Sequence, residues 1–266
     1  MTRSWLYVPG DRPDRIAKAF ASDADIVIID LEDAVKPAAK ADARAHTLAA
    51  LTAEARPQRW VRLNSGDDGR HDLLSLAAAA HAPDGLVLAK CDTTAWVAEV
   101  AAALPGVPLA PLVETAVAVR DLHALVAAPG VVLCHLGEVD LLADLGGRLP
   151  GGQPLLDHAR HALVVASAAV GIDAPIGGVH LQIDDLEALA TSSTTLADLG
   201  FGGRAVIHPA HCAAVNAAFS PSAADIEWAR GVLAALDGAA GAVRDAAGAM
   251  VDEAVARRAR RILAAG

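Results

Sequence analysis

The sequence predicts an α/β fold, a (β/α)8 barrel that is followed by a C-terminal helical extension. Short uncharged runs rich in β-branched residues alternate with stretches rich in alanine and leucine. This alternation is typical of a parallel sheet whose strands are covered on both faces. Eight such units recur at a spacing of about 25–30 residues, as in a single barrel domain. We therefore expect a barrel over residues 1–220 and an extension over residues 221–266.

Eight strands are predicted in chain order, the last two from weaker patterns. They are Ser4–Val8, Ile26–Asp30, Trp60–Leu63, Gly85–Ala89, Leu109–Val113, Val131–Leu136, Ile176–Leu181 and Ala205–Ile207. The helical patterns are Pro13–Ala21, Ala38–Ala53, Asp72–His81, Thr94–Leu104, Ala116–Val126, Leu155–Val170, Leu186–Leu199 and Ala210–Phe219. A doubly wound sheet would usually carry a glycine-rich phosphate turn after its first strand. The first strand here ends in VPGDR, which is not that turn, so the TIM barrel is favoured.

The periodic pattern changes after Phe219. One helix is predicted from the capping sequence Ser220-Pro221-Ser222 to about Leu236, and a final helix runs roughly over Asp252–Ala264. The stretch between them, Asp237–Ala249, is only weakly patterned. We expect this extension to pack on a neighbouring subunit or to close over the site.

Composition and charge exclude several functional classes. The chain has 22 Lys and Arg against 32 Asp and Glu, a net charge of −10, and no basic stripe, so nucleic acid is not expected as a partner. Alanine supplies 63 of the 266 residues, so the 54 % hydrophobic content does not indicate a membrane protein. No uninterrupted apolar run reaches the roughly 18 residues of a spanning helix. Three cysteines without a CxxC pair fit a reducing compartment, and we expect a cytoplasmic protein.

Polar residues stand at almost every predicted strand end. In a parallel barrel the active site is built at the carboxyl ends of the strands. If the barrel assignment is right, these side chains converge on one face of the molecule. They are Arg12, Asp30, Glu32, Asp33, Arg62, Asn64, Lys90, Glu114, Asp140, His180, Asp184 and His208.

Each of these residues also has a purely structural interpretation. Arg62 could pair with the three acids at the end of the second strand, and those acids could instead cap a turn or pair with Lys36 and Lys40. Glu114 and Asp140 could each lie in the first turn of a helix, where carboxylates are favourable.

Two further residues have structural interpretations of their own. Lys90 could bury its stem and keep its amine in solvent. His208 could be a satisfied core histidine.

Glu114 and Asp140 together offer two hard oxygen ligands without a nearby set of cysteines and histidines. This donor set favours Mg²⁺ over Zn²⁺, with water and substrate oxygens as the remaining ligands. Arg62 could then bind a substrate carboxylate with two parallel hydrogen bonds. A divalent cation beside an arginine suits an acid with a 2-oxo or 2-hydroxy group, and it would stabilise charge that develops during carbon–carbon cleavage.

Several short motifs carry a family resemblance when they are taken in order. They are SWLYVP at Ser4–Pro9, DIVIIDLEDAV at Asp25–Val35 with Lys40 and Ala43-Arg44, VRLNS at Val61–Ser65, LVET at Leu112–Thr115, Gly137–Leu141 with Gly146, GFGGRAVIHP at Gly200–Pro209, and Met250-Val251-Asp252. Over about residues 4–262 the sequence resembles the citrate lyase β-subunit-like branch of the HpcH/HpaI aldolase family, which includes malyl-CoA and citramalyl-CoA lyases. The resemblance implies a Mg²⁺-dependent lyase on a (β/α)8 barrel, often trimeric or hexameric.

The resemblance also implies roles for individual residues. Glu114 and Asp140 match metal ligands, and Glu114 thereby also contacts substrate. Arg62 matches the arginine that binds the small acid and takes part in catalysis. Arg12 and Lys18 match residues that hold the phosphates and pantetheine end of coenzyme A.

Asp252 matches an acid in a C-terminal segment that relatives place over a neighbour's active site as a catalytic acid or base. Its structural alternative is the N-cap of the last helix.

The sequence departs from the family pattern at three places. Val139 stands where relatives carry glutamate, with Glu138 one position earlier, and Ala210-His211 stands where relatives carry glutamine. The stretch before Met250 lacks the usual aromatic and glycine pattern.

Three functions follow as hypotheses. The leading one is a lyase acting on a malyl-, citramalyl- or citryl-thioester. The alternatives are an aldolase for free 2-oxo acids, for which Arg12 and Lys18 would be ordinary surface charges, and a non-catalytic subunit that binds CoA thioesters.

Overall fold

The computed structural model describes residues 2–237, 243–244, 248 and 250–265. The chain separates into two compact units, Thr2–Asn216 and Ala217–Gly266, and each is described by itself. Among the described residues, no helix is both long enough and apolar enough to span a lipid bilayer.

Unit Thr2–Asn216 is a closed barrel of eight parallel strands in chain order, and the predicted fold class is confirmed. The strands are β1 (Ser4–Pro9), β2 (Ile26–Asp30), β3 (Gln58–Leu63), β4 (Gly85–Leu88), β5 (Leu109–Val113), β6 (His135–Leu136), β7 (Ile176–Gly177) and β8 (Gly203–Val206). β8 pairs with β1 and closes the barrel, so within this unit the sheet has no open edge.

The helices largely follow the predicted ranges. They are α1 (Pro13–Phe20), α2 (Lys40–Ala50), α3 (Gly66–Ala77), α4 (Thr94–Ala103), α5 (Ala116–Arg120), α6 (Leu122–Val126), α7 (Glu138–Asp144), α8 (Gln153–Val170), α9 (Leu186–Leu199) and α10 (His211–Ala218). The sequence patterns did not predict α7, because this helix has only seven residues and follows β6 almost directly. A single predicted helix over Ala116–Val126 is divided at Asp121 into α5 and α6.

Strands β6 and β7 are shorter than predicted. Each forms a two-residue ladder, whereas the sequence patterns extended over six residues. Val131, the first residue predicted for β6, makes only an isolated bridge with Leu109. In β7 the chain runs into Gly177 and Gly178, and glycine weakens a strand because it has no side chain to pack.

Alternating strand residues fill the barrel interior. One residue from each of the first five strands, Trp5, Ile28, Trp60, Val87 and Leu112, belongs to one buried cluster. Residues two positions apart on a strand point to the same face, so alternate residues of these strands face inward. The Trp5 and Trp60 rings meet edge to face with their centroids 4.8 Å apart. The two large rings therefore pack against each other inside the barrel.

The described residues of unit Ala217–Gly266 form two helices, α11 (Ala223–Leu236) and α12 (Glu253–Ala265), and an antiparallel pair of short strands, β9 (Val243–Arg244) and β10 (Met250–Val251). Ser222 and Asp225 cap α11 reciprocally, as the capping sequence predicted. Val232 and Val251 belong to the core of this unit. Most of the weakly patterned stretch Asp237–Ala249 lies outside the described residues.

Candidate functional site

A cavity of about 290 Å³ opens at the carboxyl ends of the barrel strands. Tyr7, Asp30, Arg62, Glu114 and His135 line it, and each comes from a different strand or strand end. Each follows, two positions along the chain, a residue of the buried interior cluster. Because side chains two apart on a strand share a face, all five point toward the barrel axis. The structure therefore brings together the predicted residues Arg62, Glu114 and, as described below, Asp140.

Arg62 is held by a two-pronged ion pair. Its Nε and Nη2 donate to Asp30 Oδ1 and Oδ2 at 2.7 and 2.6 Å. Its Nη1 lies 3.3 Å from Glu32 Oε2, and its guanidinium carbon lies 4.8 Å from the centre of the Tyr7 ring. Burial opposes the charge, but Asp30 outweighs it and raises the pKa of Arg62. The structural interpretation of Arg62 is thus correct, and its five donors leave capacity for a substrate carboxylate.

The acids that follow β2 are paired with Arg62 and Lys90 rather than with the lysines of the following turn. Lys90 Nζ donates to Glu32 Oε1 and lies 3.4 Å from Asp33 Oδ2. Lys90 also has a φ of 46°, in the left-handed region that non-glycine residues seldom adopt. The structural interpretation placed the Lys90 amine in solvent, but the amine is paired with Glu32 and Asp33.

Lys40 is buried behind this acidic loop and supports its backbone. Its Nζ donates to the carbonyls of Leu31 and Glu32 at 2.6 and 2.8 Å, and to Asn64 Oδ1 at 2.6 Å. Asn64 in turn donates to Asp72 Oδ2 at 2.7 Å. The lysine and asparagine of the sequence motifs therefore hold the loop in place, and Lys36 on the same segment is exposed.

Glu114 is an almost fully buried carboxylate at the cavity wall, 1 % exposed. Its Oε1 accepts the Lys90 backbone N–H at 2.7 Å, while Gly137 lies so close that a Cβ there would be 2.8 Å from Oε2. Burial raises its pKa to about 7. Glu114 precedes the N-cap Thr115 of α5 and lies outside the first helical turn, so the helical interpretation of Glu114 is wrong.

Asp140 lines the same cavity from the first turn of α7. It is exposed, and its helical position agrees with the structural interpretation given above. Two residues earlier, Glu138 accepts from Arg160 Nε and Nη2 at 2.8 and 2.7 Å. Glu138 is therefore fixed by α8, and this ion pair anchors the start of the helix that carries Asp140.

Glu114 and Asp140 make a donor set that suits Mg²⁺. Within the described ranges, no three of His, Cys, Asp and Glu are grouped as a ready-made metal site. Mg²⁺ does not need such a group, because it is usually held by one or two carboxylates together with waters and substrate oxygens. Burial disfavours the charged form of Glu114 more than Arg62 and Lys90 favour it, so a cation beside the carboxylate would stabilise that charge. These two residues fit the metal.

His135 is a cavity residue that the sequence analysis did not single out. It is 1 % exposed, and among the residues that the structure describes neither buried ring nitrogen has a hydrogen-bond partner. Its ring meets Trp5 edge to face, with 4.7 Å between the centroids. Burial, with a smaller contribution from Arg62, lowers its pKa to about 3, so the ring is neutral. The available sequence clue was a histidine in the otherwise apolar run Val131–Leu136.

Arg12 and Lys18 are not among the residues that line this cavity. Arg12 is exposed at the N-terminus of α1 and pairs with Asp14, and Lys18 lies exposed in the last turn of that helix. Asp252 belongs to the C-terminal unit, where its Oδ1 accepts the N–H groups of Ala254 and Val255 at 2.9 and 3.1 Å. This is the capping contact expected of an N-cap residue.

Comparison with known proteins gives consistent results. A family model described as HpcH/HpaI aldolase/citrate lyase matches residues 3–209. A citrate lyase subunit beta-like protein of Mycobacterium tuberculosis is 38 % identical over 97 % of this chain and 93 % of that protein. A (3S)-malyl-CoA thioesterase of Cereibacter sphaeroides is 34 % identical over 88 % of this chain and 83 % of that protein.

A solved structure is similar over nearly the whole chain. The crystal structure of CitE from Mycobacterium tuberculosis, in complex with magnesium, acetoacetate and coenzyme A, has a TM-score of 0.86 and 35 % sequence identity. The match covers 98 % of this chain and 97 % of that one.

Proposed function

Because this chain belongs to the HpcH/HpaI aldolase/citrate lyase family, we propose that it is a Mg²⁺-dependent carbon–carbon lyase. Its substrate would be a 3-hydroxy-acyl-CoA thioester of the malyl, citramalyl or citryl type. The observation that carries the proposal is the buried Glu114 carboxylate, which shares one cavity with Asp140 and with the guanidinium of Arg62.

The cation would be held by Glu114 and Asp140. When bound, Mg²⁺ would supply a Lewis acid that stabilises negative charge on the substrate hydroxyl oxygen while the C–C bond is cleaved. The magnesium in the related CitE structure supports this choice of metal.

Arg62 would bind the carboxylate of the acid portion. Asp30 and Glu32 hold its guanidinium on two sides and the Tyr7 ring supports it from a third, so its remaining donors are fixed in direction. A fixed donor pair orients the substrate without losing side-chain entropy when it binds, and orientation of this kind lowers the barrier.

The bond to be broken joins the hydroxyl-bearing carbon to the carbon next to the thioester carbonyl. A base takes the hydroxyl proton, the C–C bond breaks, and its electron pair passes to the thioester portion as an enolate, which is then protonated. The products are a 2-oxo acid and a shorter acyl-CoA. We assign the proton transfer to Asp252 and the binding of the coenzyme A phosphates to Arg12 and Lys18.

Thioester hydrolysis is a second candidate, and the similarity to the (3S)-malyl-CoA thioesterase favours it. The same cavity could bind a malyl thioester and leave the C–C bond intact while water attacks the thioester carbonyl. The two functions differ in their products, because hydrolysis releases free CoA and a hydroxy acid, whereas cleavage releases a 2-oxo acid and an acyl-CoA.

The test is mass-spectrometric product analysis with Mg²⁺ and a panel of malyl-, citramalyl- and citryl-CoA. We expect acetyl-CoA together with a 2-oxo acid from at least one of them. Asp140→Ala should lower kcat/KM at least about a hundredfold, since loss of charge stabilisation at the reacting oxygen costs several kcal/mol. Asp121→Ala is the matched control, because Asp121 is paired with Arg120 on α5 and should leave activity unchanged.

The results separate the candidates. Free CoA and malate without acetyl-CoA would support the thioesterase and contradict the lyase. Near-normal activity of Asp140→Ala would contradict the assigned metal site.

We also propose a cytoplasmic homo-oligomer, a homotrimer or hexamer, in which the C-terminal unit brings Asp252 to a neighbouring site. Light scattering gives the oligomeric mass. Mixing Asp252→Ala with Asp140→Ala subunits should restore part of the activity if the two residues act across subunits. No restoration on mixing would contradict that arrangement.

A further inference from the structure

We propose that His135 is a specificity-determining residue that hydrogen-bonds an oxygen-bearing substituent of the acid substrate and thereby selects it over a methyl group. The inference rests on the proposed function, because it concerns the fourth substituent of the hydroxyl-bearing carbon, beside the hydroxyl, the carboxylate and the thioester arm. That substituent is hydrogen in malyl-CoA, methyl in citramalyl-CoA and carboxymethyl in citryl-CoA.

The position of His135 follows from the strand register. His135 pairs with Leu112 of β5 on one side and with Ile176 of β7 on the other. Leu112 and Ile176 both belong to the interior cluster, so His135 also faces the barrel axis. The imidazole thus lies in the interior layer below the cavity mouth.

Two glycines stand one step above this ring, where a side chain would be crowded by Glu114 or Glu138. Side chains two residues further along the same face of β6 and β7 would come from Gly137 and Gly178. A Cβ at Gly137 would lie 2.5 Å from Glu114 Cβ, and one at Gly178 would lie 3.0 Å from Glu138 Cγ. Both positions line the cavity, so the cavity reaches down to the imidazole.

The position of Gly178 is itself fixed. Buried Arg204 donates from Nε to the Gly178 carbonyl at 2.9 Å and from Nη1 to Ser192 Oγ at 2.7 Å. The opening above His135 is therefore built into the barrel and does not depend on a loose segment.

His135 shares the cavity wall with several apolar side chains, among them Leu112, Leu136, Val179 and Ala205. The nearby Glu138 carboxylate is already paired with Arg160. In the described part of the chain both nitrogens of the buried ring are without a partner, and a buried polar atom left in this state costs free energy. A carboxylate oxygen of the substituent would accept from the protonated ring nitrogen, whereas a methyl group would leave both nitrogens without a partner.

Such a site discriminates strongly. A pocket built to hydrogen-bond a substrate group rejects an analogue that lacks the group more sharply than an apolar pocket separates two alkyl groups. Because burial keeps the imidazole neutral, one nitrogen donates and the other accepts. We therefore expect the carboxymethyl compound to be preferred over the methyl compound.

The test uses two variants of the full-length protein. His135→Phe keeps a flat ring against Trp5 and removes both nitrogens, whereas His135→Gln keeps a donor and an acceptor. His46→Phe is the matched control, because His46 lies on α2 beside Phe20 of α1 and outside this cavity. Urea denaturation of each variant verifies folding.

Two measurements are made on each protein. The first is calorimetric binding of oxaloacetate and of pyruvate in the presence of Mg²⁺. The second is kcat/KM for citryl-CoA and for citramalyl-CoA. His135→Phe should lower affinity for oxaloacetate and kcat/KM for citryl-CoA at least about tenfold while leaving the pyruvate and citramalyl values within about twofold. His135→Gln should retain most of the preference, and His46→Phe should retain all of it.

Several results would overturn the assignment. They are wild-type preference for the methyl compounds, an equal loss on both compounds in His135→Phe, or no binding of either acid to the wild type. If the wild type cleaves no CoA ester but the binding preference and its loss in His135→Phe are observed, the proposed reaction is wrong and the assignment of His135 stands.

Discussion

The two sides of the barrel mouth are built in opposite ways. Around β2, β3 and β4 the interior is filled with charges, and Asp30, Glu32, Arg62 and Lys90 are joined by ion pairs. Around β6 and β7 the cavity is lined by glycines, apolar side chains and the neutral imidazole of His135, and of the two acids there Glu138 is paired with Arg160 while Asp140 is exposed. The first side satisfies its polar groups internally, and the second, as far as the described residues extend, leaves His135 unsatisfied.

This difference assigns different tasks to the two sides. A cross-linked cluster of charges is rigid, because moving one member leaves another buried charge without its partner. It therefore suits a fixed task such as orienting a carboxylate that every substrate carries. The open side has space and an unused polar group, so it suits recognition of the part that varies between substrates.

The sharpest test of the charged side is Arg62→Leu. This variant leaves Asp30 buried and unpaired, and we expect it to lower the free energy of unfolding by about 3–5 kcal/mol. Urea denaturation at pH 7 measures the change.

The matched control is the double variant Asp30→Asn/Arg62→Leu, in which no charge is left alone. It should recover about 1–2 kcal/mol relative to Arg62→Leu. If the single and double variants are equally stable, the charged side is not held together by this pair.

The open side gives a pH-dependent prediction of intermediate size. Burial lowers the pKa of His135 to about 3, against an ordinary value of 6.5 in the unfolded chain. Below pH 6.5 the unfolded state binds a proton that the folded state does not, so stability is lost as pH falls from about 6.5 toward 3. Between pH 7 and pH 4.5 this one group costs about 2–3 kcal/mol.

His135→Phe removes that contribution. The variant should lose about 2–3 kcal/mol less than the wild type over the same pH interval, measured by urea denaturation at both pH values. The same acid sensitivity in both proteins would show that the buried ring does not control it.

The two sides also differ in how far they follow from the sequence. The sequence predicted that charges gather on this side, because Arg62, Asp30 and Glu32 stand at strand ends and the carboxyl ends of parallel strands converge. The sequence did not predict which of these charges form ion pairs with each other. The sequence left Arg62, Lys36 and Lys40 open as partners of these acids, and the fold brings Arg62 and Lys90 to them from neighbouring strands.

The open side was much less visible. A two-residue strand gives almost no periodicity, so the inward direction of His135 depends on its register with Leu112 and Ile176. A seven-residue helix such as α7 is likewise too short for a helical pattern to stand out. Both features depend on tertiary contacts, which residue patterns along one chain do not encode.

The smallest effect that we predict concerns Gly137, where the two sides meet. Its missing side chain leaves room both for the Glu114 carboxylate and for the cavity above His135. In Gly137→Ala the new Cβ would lie 2.5 Å from Glu114 Cβ, so Glu114 must shift. We expect a loss of about 1–2 kcal/mol of stability from overpacking, measured by urea denaturation.

Gly151→Ala is the matched control, because a Cβ there meets only the Arg148 carbonyl oxygen, at 3.9 Å. It should change stability by less than about 0.5 kcal/mol. Calorimetry measures the affinity of each variant for Mg²⁺. Because Glu114 is displaced in Gly137→Ala, this variant should bind Mg²⁺ more weakly than Gly151→Ala. If both variants bind Mg²⁺ equally well, the glycine serves only the open side, and the position of Glu114 tolerates more movement than its burial implies.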